Sequence, residues 1–202
     1  NVPATVTFTT QPSSTGTVDV ILTTQPVVKV VDAYGNNVAD GTSVALTKAS
    51  GTGALRGTLT KTTTGGTATF NDIGYNKVDA FTITATAGSA PATSGSVGAL
   101  SAGIISAFAL SAGASQVAGT LFSVSVPNAV DQYSNPASGA VTISALTGGG
   151  NSPSTASPTY GTITVANGSG SANSTLVNAV NTVLRGTVGL ITSDTGTITV
   201  NS

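Results

Sequence analysis

Apolar and polar residues alternate along most of this chain with a period of two. The runs PVVKVVD (26–32), SVALTKAS (43–50), AFTITATA (80–87), LFSVSVPNAVD (121–131) and AVTISAL (140–146) all carry the pattern. That period sends neighbouring side chains to opposite faces of a strand, one face dry and one wet. Each run spans roughly four to eight residues between Gly, Pro, Asn and Asp, the signature of strands joined by turns. No window sustains the period of about 3.6 residues that a helix requires, so essentially no helix is expected. In the strongest runs Val28, Val30, Phe70, Phe81 and Ile83 share the inward face and form the predicted core of the first half.

The two halves repeat one another. The first run ends in Asp32-Ala33-Tyr34-Gly35-Asn36, and its counterpart ends in Asp131-Gln132-Tyr133-Ser134-Asn135-Pro136, 99 residues later. Each half then offers a hairpin turn, Gly65-Gly66 in one and Asn167-Gly168 in the other. Both pairs tolerate the positive φ angles of a two-residue turn. TVGLITS and TGTITV read as two closing strands, which puts Asp194 in the turn between them. Residues 88–103, rich in Gly, Ala and Ser, form the boundary and include a last, weak strand of the first half. The expected fold is all-β, with two tandem antiparallel β-sandwiches over 1–100 and 101–202. Pro127 interrupts the alternation of Phe122, Val124 and Val126. Proline has no N–H to give a ladder, so a bulge or a sheet edge is expected there.

The segments D-A-Y-G-N-N-V (32–38), G-T-G-A-L-R-G-T-L-T-K (51–61) and G-T-A-T-F-N-D-I (66–73) resemble the bacterial immunoglobulin-like repeats of invasin- and intimin-type adhesins. Such repeats also occur in surface-layer proteins. The resemblance covers most of residues 4–90, and extends more loosely over 104–200 through D-Q-Y-S-N-P and strand order. It implies immunoglobulin-like sandwiches of about seven strands, stacked in tandem, with a structural or adhesive role and no catalytic residues.

Charge is the most unusual part of the composition. Of 202 residues 6% are charged, against about a quarter in an ordinary soluble domain. From residue 80 to 184 the one charged side chain is Asp131, and from 101 onward Arg185 and Asp194 complete the set. A surface so poor in charge is expected to be covered, by sugar or by copies of the same chain, and open edge strands are expected to pair between copies. With 4% aromatics and no Trp, the core must be built from Val, Ile, Leu and Ala. The net charge of −1 and the scattered Lys argue against nucleic acid as a partner. The chain starts Asn1-Val2-Pro3, which reads as a mature or excised segment. Residues 98–114 are uncharged, but Ser and Gly interrupt them and strand-like runs flank them, so no membrane span is expected.

There is no His and no Cys, which removes Ser-His-Asp triads, thiolate sites, disulfides and His-based acid–base chemistry. Asp194-Thr195-Gly196 matches an aspartic protease signature, yet that chemistry needs two such loops sharing a proton and only one is present. Gly51 to Gly57 nearly matches a G-x-G-x-x-G loop but lacks a strand–turn–helix setting. Lys29, between Val28 and Val30, is expected to face solvent and not a buried cross-link. The D-x-Y-x-N segment reads as a turn, its Asp and Asn bonding nearby backbone N–H groups and its Tyr ring lying over the end of the sandwich. Calcium is the alternative there, held by Asp32, Asn36, Asn37 and Asp40. Asn167-Gly168-Ser169 and Asn173-Ser174-Thr175 are glycosylation sequons. The chain reads as a non-enzymatic protomer of an extracellular, cell-surface assembly, a surface layer or a filament. It needs no cofactor, and its partners are copies of itself, adjacent domains of the same protein, or glycans. A stalk segment of an adhesin is the alternative and a carbohydrate-binding module the third reading.

Overall fold

The computed structural model describes residues 1–147 and 159–202, and no helix occurs among them. The chain divides into two compact units, Asn1–Ala102 and Gly103–Ser202.

Unit 1 contains β1 (Thr5–Thr10), β2 (Val27–Val31), β3 (Ser43–Ser50), β4 (Leu55–Arg56), β5 (Thr60–Thr62), β6 (Thr67–Thr69), β7 (Gly74–Tyr75), β8 (Thr82–Ala87) and β9 (Ala90–Thr93). One sheet runs β1-β2-β6 and the other β5-β3-β8-β9, both antiparallel, and β4 pairs with β7 apart from them. This is an immunoglobulin-like sandwich whose short strand β5 joins β3 rather than β6. The alternation places Val28 and Val30 inward with no exposure, while Lys29 between them faces solvent. Phe70, Phe81 and Ile83 meet them in the core, joined by Val44, Leu46 and Ala85. Each of the Val, Leu, Ile and Phe side chains contributes about 1.5–3 kcal/mol by leaving water.

Unit 2 contains β10 (Ala107–Phe108), β11 (Ser111–Ala112), β12 (Ser115–Val117), β13 (Leu121–Val126), β14 (Ala129–Val130), β15 (Gly139–Thr147), β16 (Thr162–Val165), β17 (Gly170–Thr175), β18 (Val183–Val188), β19 (Ile191–Asp194) and β20 (Thr199–Asn201). The sheet orders β11-β13-β17 and β16-β15-β18-β19 repeat the plan of unit 1. The strand that is continuous as β2 is broken here into β13 and β14 at Pro127 and Asn128. Proline cannot donate at that place, and the Asn128 carbonyl accepts from Ala109 N–H at 3.2 Å across the break. Strands β12 and β20 form a parallel pair along one rim, where unit 1 has a single parallel bridge, Thr17 to Ser101.

Two turns behave differently from the hairpins the sequence suggests. Thr64 and Thr67 exchange both backbone bonds around Gly65 (φ 59°) and Gly66 (φ 76°). Ala166 and Ser169 do the same around Asn167 (φ 49°) and Gly168 (φ 86°). Both are two-residue turns with positive φ at each centre. Yet the strands they join lie in opposite sheets. The ladder edge of β5 is taken by β3 and that of β6 by β2, so the turn carries the chain over the rim of the sandwich. The segment TVGLITS also departs from expectation. It is not one strand but the hairpin β18–β19, folded at Gly189 (φ 56°) and Leu190. Asp194 consequently ends a strand and does not occupy a turn.

The units share one buried polar device. Ser94 Oγ accepts the Ile83 N–H at 3.0 Å, and Thr195 Oγ1 accepts the Leu184 N–H at 3.0 Å. Each hydroxyl satisfies a donor that water cannot reach. Replacing Ile83 by Ala is expected to destabilise unit 1 by about 2–5 kcal/mol through lost burial and the cavity left behind. Thr195→Val, which keeps the shape and removes the acceptor, is expected to cost unit 2 about 1–3 kcal/mol. Urea unfolding midpoints of the two variants check both values.

Candidate functional site

The repeated D-x-Y-x-N segments close the strands β2 and β14 in the same way. Asp32 Oδ1 accepts the N–H groups of Tyr34 and Asn36, each at 2.9 Å, and Asn36 Nδ2 donates to Oδ2 at 3.4 Å. Asp131 Oδ1 accepts from Tyr133 N–H at 2.9 Å and Asn135 N–H at 3.0 Å. Asn135 Nδ2 reaches both its oxygens, at 3.0 and 2.9 Å. Gly103 N–H adds a further bond to Oδ2 at 3.1 Å. Positive φ falls at Gly35 (82°) in one turn and at Ser134 (61°) in the other. The carboxylate thus stands in for the backbone acceptors that the ended strand no longer supplies.

The two corners differ in exposure. Asp131 and Asn135 are each 2% exposed, whereas Asp32 is half-buried and Asn36 open. Burial pushes the Asp131 carboxyl upward, but the bonds from Asn135, Gly103 and Tyr133 outweigh it and hold the group below its ordinary value. For Asp32 the same opposition of burial and bonds from Asn36 and Tyr34 again ends below the ordinary value. The Tyr ring is not laid over the sandwich end in unit 1. Tyr34 is 91% exposed, while Tyr133 is half-buried.

The four calcium candidates fall into two separate groups. Asp32 and Asn36 bond to each other. Asn37 Nδ2 donates to the Gly65 carbonyl at 2.8 Å, and Asp40 Oδ1 accepts the Gly65 N–H at 2.7 Å. Those two side chains fasten the 65–66 turn. Among the described residues no group of three or more His, Cys, Asp or Glu is placed to hold a metal.

A second polar cluster lies in unit 1, around residues 51–58. The near-match to G-x-G-x-x-G forms a loop gripped by the segment 72–79. Asp79 Oδ2 accepts from Thr52 N–H (2.6 Å) and Thr52 Oγ1 (2.7 Å), and its Oδ1 accepts from the Tyr75 hydroxyl at 2.9 Å. The same hydroxyl accepts the Gly53 N–H at 2.6 Å. Asn76 Oδ1 takes the Ala54 N–H at 2.6 Å, and Asp72 Oδ2 takes both Thr58 N–H (2.9 Å) and Thr58 Oγ1 (2.6 Å). Gly57 has φ 99°, and a Cβ there would collide with the Asp72 carbonyl, so the loop admits only glycine at that position. The Tyr75 ring is fully buried and stacks on Phe81, centroids 3.9 Å apart at 18°. The backbone N–H groups of Thr52, Gly53, Ala54 and Thr58 are thus taken up by the protein's own side chains. The Thr58 hydroxyl bond holds Asp72 below its ordinary value. Asp79, raised by burial, is brought below it by Thr52 and Tyr75.

Asp194, the acid of the D-T-G match, makes a bidentate pair with Arg185. The distances are 2.7 Å from Nε and 2.8 Å from an Nη nitrogen, on the outer face of β18–β19. With Asp131 buried and bonded, no charged side chain of unit 2 is left uncompensated. Its outer faces carry hydroxyls instead. Thr162, Thr142, Thr187 and Thr192 stand in one row across four strands. Ser111, Ser125 and Ser171 form a row across the other sheet, with Ser123 opposite Asn173 in the next. Both sequon asparagines are exposed, Asn167 in its turn and Asn173 on β17. Some of the edges of unit 2 make contacts within the unit itself. On one rim β12 pairs with β20, and Leu110 N–H donates to Ser193 Oγ at 3.1 Å. On the other, Thr159 bridges to Thr175.

No protein-family model matches the chain, and no curated protein does. Among solved structures it is similar to the D0-D1 domain of intimin, at 15% identity over 99% of each chain with a TM-score of 0.36. It is also similar to the S-layer protein rSbsC, at 13% identity over 99% of this chain with a TM-score of 0.42. A third is the Yersinia pseudotuberculosis adhesin InvE, at 17% identity over all of this chain with a TM-score of 0.40. The chain spans 28% of the length of that S-layer structure and 60% of the adhesin.

The five bonded carboxylates Asp32, Asp72, Asp79, Asp131 and Asp194 are all depressed in the folded state. Their stabilisation is complete above the ordinary carboxylate range and is lost as pH falls through their lower folded values. With no His to titrate, urea midpoints are expected to stay flat from about pH 8 to about pH 5 and to drop below about pH 4. Asp131→Asn should be less stable than the parent at neutral pH and show a shallower acid loss; an unchanged acid profile would remove Asp131 from this account.

Proposed function

We propose that this chain is a non-catalytic building block of an extracellular, cell-surface assembly, a surface layer or filament. The two units serve as its tandem domains, and its partners are further copies or adjacent domains of the same protein. The support is the charge balance of unit 2. Its buried Asp131 is fully bonded, its Arg185 and Asp194 neutralise one another, and its outer faces are hydroxyl rows. Such a surface lacks the repulsion that keeps soluble proteins apart. Leu121 (69%) and Leu190 (102%) add exposed apolar side chains. Sugar on Asn167 or Asn173 is the other form of cover that fits this surface.

A stalk segment of an adhesin is the second reading, favoured by the tandem repetition alone. A carbohydrate-binding module fits less well. Tyr75 is buried in the core, and among the described residues the open Tyr34 is in no ring pair that would make a platform.

Sedimentation velocity of the 202-residue chain separates the first two. Association is expected to grow with protein concentration and to change little between about 0.05 and 0.5 M salt, because few ion pairs are involved. A monomer at every concentration, with no sugar on the native protein, would favour the stalk.

A further inference from the structure

The chain enters and leaves unit 2 at opposite ends of one line of strand. β13 and β14 run from Leu121 to Val130 with a single break, and Asp131 follows. At the Asp131 end the carboxylate accepts the N–H of Gly103, the first residue of the unit. At the Leu121 end the carbonyl of Asn201, one residue before the exit, accepts the Ala118 N–H at 2.8 Å. The pair β12–β20 joins the segment after the entry to the segment before the exit. It is the one parallel ladder among the described residues, with Ser115, Gln116 and Val117 opposite Thr199, Val200 and Asn201. Thr199 N–H also donates to the Ala114 carbonyl at 2.8 Å, and Asn201 Nδ2 reaches across to Ser115 Oγ at 2.9 Å.

We propose that β12–β20 is a shear clamp, the place at which unit 2 resists tension along the chain. A pull at Gly103 first loads the short antiparallel pairs of β10 with β14 and β11 with β13, of two residue pairs each. When these give, the load passes to β12 and draws it toward its N-terminus. A pull at Ser202 draws β20 toward its C-terminus. Because the two strands run parallel, these pulls slide one along the other, and every rung of the ladder is loaded together. A single backbone hydrogen bond contributes little, so resistance comes from the number of rungs that must break at once. Val200 adds packing, since it is buried and has to leave the core with its strand. Unit 1 carries a shorter form of the same device. Gly98 N–H donates to Ser14 and Ser101 N–H to Gly16, so three residues on one side span two on the other, and the single bridge from Thr17 to Ser101 remains. The clamp goes beyond the proposed function and holds under either of its readings, since a member of an assembly and a stalk segment are both held by their ends.

The chain has no Cys, so introduced cysteines give unique handles for single-molecule pulling on the full chain. In Ala102→Cys/Ser202→Cys the force enters and leaves unit 2 along the chain and shears the ladder. In Thr120→Cys/Ser202→Cys both handles sit at the Leu121 end, and the ladder is peeled rung by rung. Circular dichroism and urea midpoints first establish that both variants fold like the parent. At one pulling rate, the peeled geometry is expected to unfold unit 2 at roughly half the force or less. Equal forces in the two geometries would overturn the clamp. A second comparison keeps the shearing handles. Gln116→Pro removes the N–H that this register aims at Thr199, and is expected to lower the unfolding force. Thr195→Val, away from the ladder, is expected to lower the urea midpoint while leaving the force near the parent's. If both substitutions reduce the force in proportion to their loss of urea stability, the ladder carries no special load and the proposal fails. Should Gln116→Pro not fold, Asn201→Ala, which removes only the side-chain tie, takes its place with the same two outcomes.

Discussion

Close packing of two sheets through small apolar side chains is the constraint on which this molecule depends. There is no Trp, so beyond the buried rings of Phe70, Tyr75 and Phe81 in unit 1 the space is filled by Val, Ile, Leu and Ala. Val28, Val30, Ile83 and Ala85 in one unit, and Val124, Val141, Ile163 and Leu184 in the other, are shut off from water completely. Such a core leaves few buried polar atoms unpaired, the Ser13 and Ser174 hydroxyls and Asp72 Oδ1 among the described residues. Hydroxyls and carboxylates take up donors at four places: Ser94 and Thr195 under β8 and β18, and Asp32 and Asp131 after β2 and β14.

The two units solve the same problem with different amounts of charge. Unit 1 uses Asp72 and Asp79 as clasps on the 51–58 loop and keeps Lys29 on an outer face. Unit 2 keeps one carboxylate in its structural interior, Asp131, and surrounds it with donors from Tyr133, Asn135 and Gly103. Donors arranged in this way hold an anion below its ordinary pKa even where burial opposes ionisation. The remaining charges cancel in the Arg185–Asp194 pair. A frame stabilised in this way is free to present Ser and Thr outward. That freedom links the packing of unit 2 to the assembly role proposed above, since its surface carries little charge while the corner that closes its strand keeps a bonded carboxylate.

Much of this was legible in the sequence because the relevant physics is local. A period of two assigns inward and outward faces without reference to any other part of the chain, and it located the first core and the outward Lys29. Asp two or four residues before a free N–H makes its turn from its own neighbours, so D-x-Y-x-N was readable as a turn. Pro127 lacks a donor wherever it stands, and the strand breaks there.

What the tertiary structure alone decided is pairing and burial across distance. Alternation says which side of a strand is dry but not which strand lies beside it, so the turns at Gly65-Gly66 and Asn167-Gly168 gave no sign that their flanking strands part into opposite sheets. Gly189 was absorbed into an apparent strand because a single glycine turns the chain only when the partner ladder is in register. The Tyr75–Asp79–Thr52 clasp joins residues 27 positions apart. The four oxygen-bearing residues from Asp32 to Asp40 look like one group in sequence, yet Asn37 and Asp40 are drawn away to Gly65 by the turn across the rim. Asp131 and Asp32 occupy the same motif, and only the folded neighbourhood makes one buried and the other half-open. Side-chain type and local spacing fix a turn, whereas exposure depends on what the rest of the chain brings over it.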